Sequence, residues 1–165
     1  MNLLLLKQLA ILSAFTGALL GITALLSPLT LFVFLISFGL PAILVLVYLK
    51  QNDLIGIINV RDGSIFGAII GSVSFIAAFL VFAPISVIIS WLFKLFKIQY
   101  LSGFLSLVPF DFGSIFIMFF IVLLLAFLSA LFNGFTGAVT AYVYELITGI
   151  KKENNENNSI DFEIK

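Results

Sequence analysis

Long apolar stretches alternate with short polar ones along this chain, and the few charged residues mark where one gives way to the other. No Asp, Glu, Lys or Arg lies between Lys7 and Lys50, and none occurs from Gly63 to Phe93. Asp53, Arg61 and Asp62 separate these two windows; after Lys94 and Lys97, only Asp111 precedes Glu145. About 20 apolar residues in helical form cross about 30 Å of hydrocarbon. A charged side chain at mid-bilayer costs several kcal/mol, so windows of this length are the pattern of spanning helices. The strands of a membrane barrel run to about 10 residues with alternating polarity, which these windows do not show. A segment in lipid must satisfy its own backbone, and helix is the conformation that does so here.

The pattern predicts an all-α membrane protein with four transmembrane helices, at about 3–25, 28–49, 64–82 and 114–148. The first two are divided at Leu26-Ser27-Pro28-Leu29, where Ser is a good N-cap and Pro suits the first helical position. Within the second, Pro41 follows Gly39 closely. Proline lacks a backbone donor and clashes one turn back, so a kink is expected near Phe38–Pro41. Residues 51–63 form a polar connection rich in turn chemistry. The third span is expected to stop at Pro84. After it, Ser86, Ser90, Lys94 and Lys97 recur at helical spacing on an otherwise apolar segment that also carries Trp91. This predicts an amphipathic helix at about 85–98 lying in the membrane interface, with Trp91, Lys94 and Lys97 as its interfacial residues. The fourth helix is too long for one upright span: it can tilt, project beyond the bilayer, or break at Asn133-Gly134. One long helix, tilted or kinked, is the expectation. Residues 1–150 then form the helical transmembrane domain, and 151–165 a disordered polar tail.

Composition narrows the functional classes. The chain of 165 residues is 62% hydrophobic and 10% charged, against about 25% charged in ordinary soluble domains. Eight basic residues balance eight acidic ones, which leaves no excess of positive charge for nucleic acid. With neither His nor Cys, disulfides, thiol nucleophiles, imidazole bases and the usual zinc ligands are excluded. No cofactor or metal site is expected, and no enzyme activity, since the apolar spans offer no base, nucleophile or ligand cluster. Four spans put Lys7, Lys50, Arg61, Lys151, Lys152 and Lys165 on one side and Lys94 and Lys97 on the other. The more basic side is cytoplasmic by the positive-inside rule, so both termini are expected in the cytoplasm, with a bacterial plasma membrane as the location. Lys7 stands inside the first apolar run rather than before it, which argues against a cleaved leader.

Several residues stand out within the spans. Ser13, Gly17 and Gly21 make a ridge of small side chains on the first helix, as Gly67 and Gly71 do on the third. In lipid, such ridges let helix backbones approach closely. Ser129, Asn133, Gly137, Ala141 and Glu145, each four apart, give the fourth helix one small and polar face. An amide in hydrocarbon needs a partner, so Asn133 is expected against protein or water. Glu145 is expected near the interface, paired with Lys7 or Lys151. Asp111, just before the fourth helix, suits the positive end of its dipole.

Two functions are compatible with this pattern. The first is a non-catalytic accessory or scaffold subunit that acts through helix contacts in the lipid bilayer, as a homo-oligomer or within a larger membrane complex. The second is a small permease or channel-like unit for a neutral or apolar solute, using the Asn133 face and the Pro41 kink.

Overall fold

The computed structural model describes residues 3–25, 30–95 and 112–163. They form five helices: α1 (Leu3–Leu25), α2 (Thr30–Ser37), α3 (Leu40–Gln51), α4 (Val60–Leu95) and α5 (Phe112–Glu163). No strand is present among them. Three stretches are long and apolar enough to cross a membrane, namely Leu5–Leu25, Val60–Ile89 and Phe119–Gly149. A fourth results if α2 and α3, bent by 47° at a short break, are counted as one span.

That bend falls at the kink expected near Phe38–Pro41, and its cause is local. Pro41 lies in the first turn of α3. In an unbroken helix its ring would press on the carbonyl of Ser37, four residues back, and its missing N–H would leave that carbonyl unpaired. α2 accordingly ends at Ser37. Phe38 and Gly39 form a turn whose N–H groups donate to Leu35 O and Ile36 O at 3.2 and 3.1 Å.

α3 closes with a compact cap. The Asn52 N–H and side-chain amide both donate to Tyr48 O, at 3.2 and 2.8 Å. Asp53 takes the left-handed backbone conformation (φ 53°), which Asp tolerates better than most residues. The Leu54 N–H then returns to Leu49 O at 2.9 Å.

Three boundaries differ from the sequence expectation. α4 starts at Val60 rather than 64, with Asp62 in its first turn, where a carboxylate favours the positive helix end. α4 also passes through Pro84 to Leu95 without a break. The span expected to stop at 82 and the separate interfacial helix expected at 85–98 are therefore one element. A single lost hydrogen bond removes one rung, while the ladder on both sides keeps the helix cooperative. Trp91 and Lys94 fall in the last turns of this helix, and Lys97 lies outside the described residues, as does Asp111. Finally, α5 is one helix of 52 residues, continuous through Asn133-Gly134 and on to Glu163. The segment expected to be a disordered tail continues its backbone, because extending an existing helix needs no new nucleus.

α4 is the central helix, packed against α1 on one side and α5 on another. The order of the contacts gives the directions. Gly17 lies on Ser74 and Gly21 on Ala78, so α1 and α4 are parallel. Gly63 meets Gly137, Gly67 meets Asn133 and Gly71 meets Ser129, so α4 and α5 are antiparallel. Ala42 bonds to Asn133 and Lys50 to Glu145, so α3 runs with α5. The start of α1, the 52–59 loop and the Glu145 level of α5 thus share one end of the bundle. The apolar core is concentrated at that end, where Leu9, Val45, Leu46, Leu49, Ile55, Ile58 and Ile70 pack together. Large apolar side chains elsewhere point outward, among them Phe15, Leu31, Leu35, Leu80 and Phe135.

Candidate functional site

The break between α2 and α3 creates a chemical demand. The last carbonyls of one helix and the first N–H groups of the next have no intrahelical partners, and within an apolar bundle no water is at hand to replace them. Asn133 on α5 meets that demand from both sides. Its Oδ1 accepts the Ala42 N–H at 3.0 Å. Its Nδ2 donates to Ser37 O at 3.1 Å and to Ser129 O at 3.0 Å. Thr136, one turn further on, donates to Gly39 O or to its own Asn133 O, both at 3.2 Å. One carboxamide therefore bridges the two halves of a broken helix, supplying the donor that one needs and the acceptor that the other needs. Asn133 is fully buried, and its amide offers a donor and an acceptor on separate atoms without a charge.

The helices around this latch are held at backbone distance by small residues. A Cβ built on Gly67 would collide with Asn133 O, and one on Gly71 would lie 2.5 Å from the Asn133 Cβ. Ser129 Oγ donates to Gly71 O at 3.0 Å. On the opposite face of α4 the pattern repeats. A Cβ on Gly17 would collide with Ser74 O, and Ser74 Oγ donates to Ser13 O at 2.9 Å. Ser13 turns its own hydroxyl back to Leu9 O at 2.6 Å. Ser13, Gly17 and Gly21 thus face α4, whereas Gly67, Gly71, Ser129, Asn133 and Gly137 meet in the α4–α5 seam. These ridges are engaged within a single chain. Aromatic rings pack beside the break: Phe34 lies edge-on to Phe82 with centroids 5.3 Å apart, and Phe38 sits 5.7 Å from Phe75 and 6.0 Å from Phe132.

A second polar node lies at the loop end of the bundle. Glu145 pairs with Lys50 of α3 rather than with Lys7; the side chain of Lys151, the other expected partner, lies outside the described residues. The same carboxylate oxygen accepts the Ile58 N–H at 3.0 Å, which ties the 52–59 loop to α5. The Lys50 ammonium also lies 5.3 Å from the centre of the Tyr144 ring. Buried Ile55 and Ile58 anchor this loop, while Ile57 between them is 86% exposed. Open grooves flank it. One of about 280 Å³ is lined by Leu5, Asp62 and Phe66; the other, of about 300 Å³, lies towards Tyr142, Glu145 and Leu146.

The partners of Asn133 and Glu145 were not evident from spacing alone. Ser37 O and Ala42 N are backbone atoms, and Lys50 reads as the edge of a span. A pairable signal exists nonetheless: a lone amide inside one charge-free window and a proline break inside another have complementary needs. Chemically, the Asn133 cluster consists of neutral amide, hydroxyl and carbonyl groups that donate and accept hydrogen bonds within the chain. Compared with family models, curated proteins and solved structures, the chain matches none.

Proposed function

We propose that this chain is a non-catalytic integral membrane protein, an accessory or scaffold subunit that offers its outer helical faces to a larger membrane complex. One observation carries the reading. Among the described residues, every buried side-chain nitrogen and oxygen has a hydrogen-bond partner within the chain. An interior matched in this way leaves the outer surface as the place where other molecules are met. The small-residue ridges are occupied inside the bundle, so association would run through exposed apolar faces such as Phe15 and Leu19 on α1 or Leu31, Phe32 and Leu35 on α2. The excess of Lys and Arg at the loop end supports a cytoplasmic side there, as in a bacterial plasma membrane. The test is purification of the tagged chain from native membranes in mild detergent, followed by native mass spectrometry. A defined complex with another membrane protein is expected; a strictly monomeric species with no companion would overturn the reading.

A second reading rests on the broken α2–α3 span. Discontinuous helices at membrane depth form the substrate sites of many transporters. A permease of this kind would pass a neutral solute beside Asn133. Flux of such a solute into proteoliposomes would then fall at least tenfold in Asn133→Leu, and equal flux in both proteins would remove this reading.

A further inference from the structure

The groove between the 52–59 loop and α5 has the chemistry of a lipid headgroup site. Its walls are apolar, formed by Ile57, Ile58, Val60, Tyr142 and Leu146. Its polar members are Asn59 and Glu145. Both hydrogen bonds to the Glu145 carboxylate, from Lys50 and from the Ile58 N–H, fall on Oε1. Oε2 receives none from a described residue, and the side chain is 28% exposed. Lys50, by contrast, stands behind the carboxylate at 11% exposure and does not line the groove. The groove therefore presents one accessible carboxylate oxygen, on a group whose other oxygen is held by Lys50 and Ile58, and none of its lining residues is basic.

Position selects the kind of molecule that brings this donor. The groove lies where α3 ends at Gln51, where α4 begins at Val60 and a few residues before the apolar stretch of α5 ends at Gly149. That is the headgroup level of a bilayer that the bundle crosses. From Leu146 and Tyr142 the exposed surface continues along α5 through Val143 and Val139, an apolar track fit for an acyl chain. A tyrosine at such a level has its ring in the apolar zone and its hydroxyl in the wet one. The groove, of about 300 Å³, is open on its outer side and has room for a small polar headgroup.

The geometry points to a structural lipid with a primary ammonium headgroup, of the phosphatidylethanolamine class, bound with its ammonium on Glu145 Oε2 and its chains against α5. A trimethylammonium headgroup carries the same charge but has no N–H to donate, and a glycerol headgroup carries the same phosphate but brings no cation to the carboxylate. The recognition is thus separable from charge alone.

The test is native mass spectrometry of the full chain released from vesicles of equal parts phosphatidylethanolamine, phosphatidylcholine and phosphatidylglycerol. At least fivefold more phosphatidylethanolamine than phosphatidylcholine should stay bound. Glu145→Gln should reduce that ratio to near one, and Leu146→Trp, which fills the groove and leaves the Lys50 pair in place, should do the same. Circular dichroism would show which variants remain folded; if Glu145→Gln does not, the wild type and Leu146→Trp decide. Equal retention of the two zwitterionic lipids by the wild type would overturn the assignment. So would preference for phosphatidylglycerol, or an undiminished ratio in a folded groove variant.

Discussion

At the scale of single residues, stability in this bundle rests on groups that most soluble cores avoid. The fully buried side chains include Asn133, Ser13, Ser37, Ser74 and Ser129. Their value lies less in the bonds they gain than in the orphans they prevent. Asn133→Leu would leave the Ala42 N–H and the Ser37 carbonyl unpaired, and a buried unsatisfied group costs about 1–3 kcal/mol. A loss of about 2–4 kcal/mol is expected in reversible unfolding by denaturing detergent, below the simple sum because membrane references recover some bonds. Asn133→Asp should also destabilise, since it keeps the acceptor for Ala42 but loses the donor to Ser37. The glycines divide sharply by neighbourhood. Gly67→Ala would press a methyl into Asn133 O and should lower the thermal midpoint by several degrees or abolish folding. Gly149→Ala, with nothing within 4 Å of its new carbon, should be neutral or stabilising by about 0.5–1 kcal/mol. Thermal scans of the two variants in one detergent make the comparison.

At the scale of elements, the chain was legible where a local rule acts alone. Charge-free windows gave the approximate places of the apolar segments, of which three are long enough to span, or four if α2 and α3 count as one, and Pro41 gave the bend, because a proline ring and a missing donor act within one turn. Pro84 shows where that rule fails. The same residue type sits inside a continuous α4, so proline alone does not decide. At Pro41 the break is accompanied by Gly39 and by a distant amide that stabilises it. The latch therefore makes a prediction that proline propensity does not. Pro41→Ala alone should leave the helix bent, because Asn133 still holds Ala42 N–H and Ser37 O apart from one another. Pro41→Ala with Asn133→Leu should let α2 and α3 merge. Electron–electron distance measurements between spin labels at Leu31 and Tyr48 would read the difference: no change in the single variant, and a lengthening of several ångströms in the double. The extent of α5 beyond 148 was not legible, since polar composition argues for disorder while helix continuity argues from the neighbour upstream.

At the scale of the whole molecule, the pairing of distant elements lay beyond the pattern. Charge windows say that α3 and α5 exist, but the Lys50–Glu145 pair and the Asn133 bonds depend on which helices become neighbours, and that follows from Gly17, Gly67 and Gly71 letting α4 sit between the others. The latch residues are also far apart in sequence, Ala42 and Asn133 by 91 positions. At about 5–20 residues per second of synthesis, roughly 5–20 s pass between the emergence of the broken helix and that of the side chain completing it. A chain truncated after Leu128 should therefore be short-lived in membranes, and adding back residues to Gly137 should restore its half-life severalfold in a pulse-chase experiment. Until α5 arrives, the open backbone groups at the α2–α3 break lack the amide that completes them, so a nascent chain stalled in that interval is expected to be the form most open to proteolysis.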